Sequence, residues 1–227
     1  MKNYNGVIDQ LTQGIWVSPS DHQKYGIPIK SIEIKESLDG HESNLIDALH
    51  SNHKLLIVSD PFTYKAMGSR IFKNIQGKIN VDEYIWEHPS SSIEGVEHLR
   101  KKIQGYDGVI AVGSGTVSDS IKYATFLEKK EYSVFATTPM NAYTTGTASI
   151  SFDGIKKSLV AHYAQGVFFD LEVLSKCPKR LTAAAFADVI CRTTAQVDWL
   201  MSHKLLKTDY KTTPYELLSL YENKMIQ

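Results

Sequence analysis

The sequence predicts an α/β fold in which a parallel sheet carries helices on both faces, followed by a helical segment. Three observations carry this expectation. Short apolar runs rich in β-branched residues alternate with stretches of helical spacing. The links between them are short, which with the alternation implies a parallel sheet. One run passes at once through Gly113-Ser114-Gly115 into a helix-patterned segment.

Taken in order, residues 1–30 are polar and broken by Gly14, Pro19, Gly26 and Pro28, which predicts irregular chain. Ile29–Ile34 alternates and reads as a first or edge strand. Ser43–His53 has helical spacing, and Lys54–Ser59 is a buried strand ending at Asp60. Pro61 opens a helix to about Asn74, as proline does in a first turn. Lys78–Trp86 reads as a strand and Ser91–Gln104 as a helix. Residues 108–112 form the next strand. Val117, Ile121, Ala124 and Leu127 then mark one face of a helix over Thr116–Lys130. Tyr132–Thr137 is a further strand. Beyond Pro139 the pattern changes: Phe152-Asp153-Gly154 signals a turn, and Ile155–Val160 with Gly166–Asp170 predicts a hairpin. From Pro178 the chain is strongly helical, and Pro214 starts a last helix to about Asn223.

Composition narrows the function classes. The 227 residues suffice for a sizeable core. Charge is balanced, 25 basic against 25 acidic, so no field favours nucleic acid or an anionic membrane. The two cysteines, Cys177 and Cys191, make neither a disulfide framework nor a Cys-x-x-Cys pair, which predicts reduced thiols. No apolar run approaches the roughly 20 residues of a membrane span, and the N-terminus lacks a signal-peptide core. The expectation is a cytoplasmic protein.

The glycine turn is the first candidate site. A helix N-terminus presents free N–H groups, and its dipole favours an anion. Ser114, Thr116 and Ser118 add hydroxyls, and the missing Cβ atoms of Gly113 and Gly115 give a diphosphate room to approach. The other reading is a tight, capped βα turn without a ligand, because the full Gly-x-Gly-x-x-Gly fingerprint is absent. Asp60, Gly113–Thr116 and Thr137–Thr138 all fall at strand C-terminal ends, where such sheets bind ligands. Asp60 suits a ribose 2′-hydroxyl, or caps the helix after it, or does both. Asp119, in the first turn of its helix, reads as structural.

Asp188 stands in an apolar, small-residue helix, where an ionised carboxylate needs a partner. Arg192, at i+4, supplies one; a metal is the other reading. His203 lies about 22 Å further along the helix, too far to share an ion. His50 and His53 have chelating i, i+3 spacing but no evident acidic partner, and read as solvated surface. His162 reads as near the cleft. Lys156 either reaches a phosphate site or faces water.

The segments Gly113–Tyr123, Asp153–Ser158 and Ala184–Trp199, with Val58-Ser59-Asp60, resemble the sn-glycerol-1-phosphate dehydrogenases. These belong to the iron-containing alcohol dehydrogenase and dehydroquinate synthase superfamily. The resemblance implies a Rossmann-like NAD(P)-binding domain over residues 1–170. Residues 171–227 are then the start of a helical metal and substrate domain, truncated relative to the family. It further implies NAD- or NADP-dependent reduction of dihydroxyacetone phosphate, with a divalent metal (zinc, nickel or iron). Gly113, Ser114, Gly115, Thr116 and Val117 would hold the pyrophosphate. Thr137, Thr138, Pro139 and Thr145 would flank the nicotinamide, and Asp60 the adenosine ribose. Asp188 would be the first metal ligand, Lys156 would neutralise substrate phosphate, and Asn141 would stand at the family's substrate-contact position without its charge. The family's two metal-binding histidines have no counterpart, so a nucleotide-binding partner subunit without turnover is the alternative. A shortened helical layer would expose Phe186, Val189 and Leu200, which implies a homo-oligomer or a complementing chain.

Overall fold

The structure is a computed structural model that describes residues 5–225. The first four residues, part of the stretch expected to be irregular, lie outside the described residues. Two compact units are present: residues 28–185, and the residues up to Ile27 together with those from Phe186 onward.

The N-terminal stretch is more ordered than its breakers suggest. It forms α1 (Asn5–Thr12) and an antiparallel ribbon of β1 (Trp16–Val17) and β2 (Lys24–Tyr25). Its glycines are turn positions, not gaps in structure. Gly14 ends α1 at φ +69°, and a Cβ on Gly26 would lie 2.7 Å from the Gly14 Cα. The chain then enters the sheet with β3 (Ser31–Lys35), α2 (Glu42–His50) and β4 (Leu55–Ser59). A single winding helix follows, built from α3 (Pro61–Thr63), a π-helical stretch Tyr64–Gly68 and α4 (Ser69–Ile75). After it come β5 (Val81–Ile85), α5 (Ile93–Lys102), β6 (Gly108–Gly113), α6 (Gly115–Leu127) and β7 (Glu131–Ala136).

The region after Pro139 departs from the sequence reading. Ile155–Val160 does not pair with Gly166–Asp170. It is β9, and it pairs antiparallel with β8 (Thr147–Phe152). Asp153 and Gly154 both have positive φ, 49° and 79°, which is the two-residue geometry of a type I′ hairpin turn. Gly166–Asp170 is instead β10, which runs parallel between β3 and β7. The long return from β7 to β10 is what allows a parallel neighbour. Then follow α7 (Leu171–Ser175), α8 (Lys179–Leu206) and α9 (Thr213–Met225).

The sheet order is β3-β10-β7-β6-β4-β5, with every pairing parallel. The central strands β4 and β6 are buried along their whole length, as continuous apolar runs covered on both faces must be. Leu55, Ile57, Ile110 and Val112 join Ile46 of α2 and Ile71 and Ile75 of α4 in one core. The alternate residues Leu56, Val58, Val109 and Ala111 are equally buried on the other face, where α5 and α6 pack.

Two charged clusters tie the sheet to its surroundings. Arg70 donates to Glu42 Oε1 at 3.0 Å and to Asp170 Oδ2 at 2.6 Å, and both carboxylates are buried. Asp170 also accepts the backbone N–H groups of Leu38 and Val173. These bonds hold its carboxyl below the usual range against the opposing effect of burial. On the other face Lys122 is completely buried in α6. Its Nζ donates to the carbonyls of Ala142 and Thr147 at 2.7 and 3.0 Å and to Thr145 Oγ1 at 3.2 Å. Asp119 Oδ1 stands 3.6 Å away, and Asp119 Oδ2 accepts from Ser149 N–H, in keeping with the structural role expected of it. Burial pushes the Asp119 carboxyl up and the Lys122 ammonium down, each opposed by the other's charge. Lys122 thereby fastens the β8–β9 hairpin and the loop before it to α6.

Replacing Lys122 with Met should destabilise the protein by about 3–5 kcal/mol in urea unfolding, because it leaves Asp119 buried without a counter-charge. Lys122→Met with Asp119→Asn should recover part of that loss. A single-variant loss under about 0.5 kcal/mol would mean that the lysine does not secure the hairpin.

Candidate functional site

The sheet order creates a place where a ligand can enter. From β4 the chain moves outward to β5; from β6 it moves the other way, to β7. The carboxyl ends of the adjacent strands β4 and β6 therefore flank a topological switch point, the crevice of open α/β sheets. A cleft of about 730 Å³ opens in this unit. It is lined by Asp60 after β4, Ser114 after β6, Thr137 and Thr138 after β7, and residues of α4 and α7. Its volume lies in the range of small-molecule and cofactor sites.

The turn after β6 has the form of an anion cradle. Ser114 is the N-cap of α6, extended at φ −85° and ψ −170°, and its side chain makes no cap bond. The first amides of α6 are thus left to a ligand or to solvent. The two glycines do different work from the room for ligand that their lack of Cβ suggests. A Cβ on Gly113 would lie 2.6 Å from the Val117 Cβ, and one on Gly115 would lie 3.3 Å from the Met140 methyl. Their bareness serves the close packing of β6, α6 and the loop after β7. Val117 is fully buried, so only its backbone is available to a ligand.

Asp60 does what its N-cap reading requires. Its Oδ1 accepts from Phe62 N–H at 2.8 Å and Thr63 N–H at 2.9 Å, and Thr63 Oγ1 accepts from the Asp60 N–H in return. The residue nonetheless lines the cleft. Thr138 Oγ1 pairs with the Tyr143 hydroxyl at 2.7 Å, and that hydroxyl donates to the Gly113 carbonyl at 2.9 Å. This chain of bonds locks the β7 loop onto the glycine turn. Thr137 Oγ1 is buried and has no hydrogen-bond partner among the described residues. A buried hydroxyl at the wall of a cleft without a partner marks a place for a ligand donor or acceptor.

Other sequence-predicted residues fall outside the cleft lining. Thr116 is half-buried in the first turn of α6, and Pro139 is exposed. Thr145 serves Lys122. Asn141 is exposed beside a 3₁₀ turn, and Lys156 is exposed on β9. His162 lies away from the cleft: its Nε2 pairs with Thr125 Oγ1 at 2.9 Å, and its ring packs on Tyr132. Conversely, the cleft gains Arg70, Lys176, Cys177 and Arg180. Their spacing in sequence gave no signal. Arg70 belongs to a helix read from the proline that opens it, and the other three follow β10, a strand assigned to the wrong partner.

A metal at Asp188 is not supported by its surroundings. Asp188 is exposed on α8. His203 Nδ1 donates to the Thr208 carbonyl at 2.6 Å. Among the described residues the one group of three metal-capable side chains is His50, His53 and Glu131, without Asp188. Among the described residues a site with three protein ligands is therefore not completed around it.

The fold and the sequence have known relatives. The profile of the iron-containing alcohol dehydrogenases matches residues 33–178. A glycerol-1-phosphate dehydrogenase [NAD(P)+] of Pyrococcus horikoshii is 32% identical over 187 residues, 81% of this chain and 53% of the relative. The protein of the same name from Pyrococcus abyssi is 31% identical over 200 residues, 87% of this chain and 57% of the relative. The chain thus spans about half the length of the curated relatives it matches. Among solved structures, an iron-containing alcohol dehydrogenase of Thermotoga maritima superposes with a TM-score of 0.63 at 16% identity, covering 72% of this chain and 52% of that one. Sulfoacetaldehyde reductase of Bifidobacterium kashiwanohense, solved with NAD+, gives 0.63 at 17% identity, covering 73% and 50%. The parallel sheet, its flanking helices and the profile match over more than half the sequence agree: the chain belongs to the iron-containing alcohol dehydrogenase family.

Proposed function

We propose that the switch-point cleft binds the dinucleotide of NAD or NADP, and that the chain serves oxidoreduction of a small phosphorylated ketone or polyol. The observation that carries this reading is the uncapped N-terminus of α6 at Ser114, placed between the ends of β4 and β6. The names of the relatives, glycerol-1-phosphate dehydrogenases using NAD(P)+, support it and suggest dihydroxyacetone phosphate as the substrate to try first.

A bound nicotinamide supplies or accepts hydride at the substrate carbon. The chain's own residues then have binding and orienting roles. The amides from Gly115 to Val117 receive the diphosphate, and the Ser114 hydroxyl adds a donor. Thr137 offers its unpartnered hydroxyl, and Thr138 fixes the loop on which both stand. Asp60 keeps Oδ1 for its helix, and its negative charge disfavours a 2′-phosphate. Lys156 and Asn141 remain candidates for substrate contact on the strength of the resemblance alone. The surroundings of Asp188 do not fit a metal, so no step is assigned to one.

A second reading is a nucleotide-binding subunit that works with another chain. Ile190, Val197, Met201 and Leu205 of α8 are each more than half exposed, an apolar row suited to assembly with a second copy or a complementing subunit.

Ser114→Asp supplies a good N-cap and should preserve or raise the melting temperature, while its charge weakens NADH binding by roughly tenfold or more in calorimetric titration. Unchanged NADH affinity would remove the cradle from the site. Asp60→Asn keeps a capping oxygen and removes the charge, so the ratio of NADPH to NADH affinity should rise; an unaltered ratio would separate Asp60 from the ribose. Oxidation of NADH on adding dihydroxyacetone phosphate supports the oxidoreductase, whereas tight NADH binding without turnover supports the subunit reading.

A further inference from the structure

At the end of the sheet opposite the cleft, three side chains converge that the nucleotide site does not use. His50 closes α2, His53 lies in the turn before β4, and Glu131 opens β7. One nitrogen of each imidazole and one carboxylate oxygen lie within 4.8 Å of one another. The two histidines were expected to be solvated, but the fold buries the first: His50 is 1% exposed. The turn brings the second back beside it. Asn52 takes φ 62°, the His53 N–H donates to the His50 carbonyl at 3.1 Å, and the ring centroids stand 6.0 Å apart.

The orientation of His50 is fixed from behind. Its Nε2 pairs with Ser133 Oγ at 2.7 Å, and Ser133 Oγ also accepts the Gly166 N–H at 3.1 Å. A hydroxyl oxygen has lone pairs for both bonds, so the tautomer protonated on Nε2 leaves Nδ1 with a free lone pair. Nδ1 has no hydrogen-bond partner among the described residues, and neither has Nδ1 of His53. The Glu131 carboxylate is 3.9 Å from His50 Nδ1, too far for a shared proton to satisfy both. Two imidazole nitrogens and a carboxylate oxygen are thus gathered at one place, with the Nδ1 atoms of both rings left without a hydrogen-bond partner among the described residues.

We propose that His50, His53 and Glu131 form a divalent-metal site of the zinc class. Two nitrogens and one oxygen suit zinc or cobalt, with a fourth position for water. Tetrahedral zinc would draw the ligand atoms to about 3.4 Å apart. The half-buried His53 and the Glu131 side chain, 40% exposed, have the freedom to close that gap. Lys30 Nζ lies 3.9 Å from Glu131 Oε1 and is the ion's competitor; its side chain is 58% exposed and free to turn to water. The bound ion would staple the α2–β4 turn to the start of β7, stabilising the rim of the sheet. This inference is independent of the dinucleotide reading.

The test uses the full chain after treatment with a chelator. Titration with Co2+ should give one bound ion per chain with the absorption of a tetrahedral site, and Zn2+ should displace it and raise the melting temperature. His53→Ala and Glu131→Gln, whose chelated forms should match wild type in circular dichroism, should each weaken uptake by roughly tenfold or more. No uptake by the wild-type chain, or uptake that survives both substitutions, overturns the proposal.

Discussion

The contact between Gly113 and Val117 is the constraint on which the rest of the switch-point cleft depends. With no Cβ on Gly113, the Val117 side chain drops against the end of β6, and α6 starts within one residue of the strand. A longer or looser turn would carry the helix N-terminus away from the switch point. The same closeness lets the Gly113 carbonyl accept the Tyr143 hydroxyl, so the loop after β7 is drawn onto the turn. Strand, helix and loop are thus positioned by one packing contact and one short chain of hydrogen bonds.

Around that centre the fold spends charges on fastening. Arg70 joins α4 to α2 and to the end of β10 through two buried carboxylates, and in doing so forms part of the cleft wall. Lys122 performs the corresponding task on the opposite face, gathering the 3₁₀ turn and the hairpin. Buried ion pairs are poor sources of net stability but strong penalties on wrong arrangements, since each partner left alone is costly. Both clusters hold elements that the sheet's own hydrogen bonds do not reach.

Much of this was legible in the sequence. The strands β4, β6 and β7, the helices between them and the Gly113–Gly115 turn all announce themselves through apolar periodicity and turn chemistry. So does the cap at Asp60. The β10 strand was visible as an element, but its pairing was not. A type I′ turn at Asp153-Gly154 signals a hairpin whichever strand stands on each side, and the many hydroxyl residues of Thr147–Phe152 mask the alternation of Ala148, Ile150 and Phe152 that marks it as a strand. The burial of His50 was equally hidden, because a histidine at the end of a helix looks the same whether it faces water or the neighbouring strand.

The sequence by itself determined the alternation of strands and helices, the anion-favouring turn and the family, because those are written in spacings of two to four residues and in local motifs. Tertiary structure alone decided the strand order that places Asp60 beside Ser114, the occupants of the space above the glycines, and the meeting of His50 and His53 with Glu131. The physical reason is that these contacts join segments far apart in the chain. Their register is set by how whole faces pack, and no local pattern carries that information.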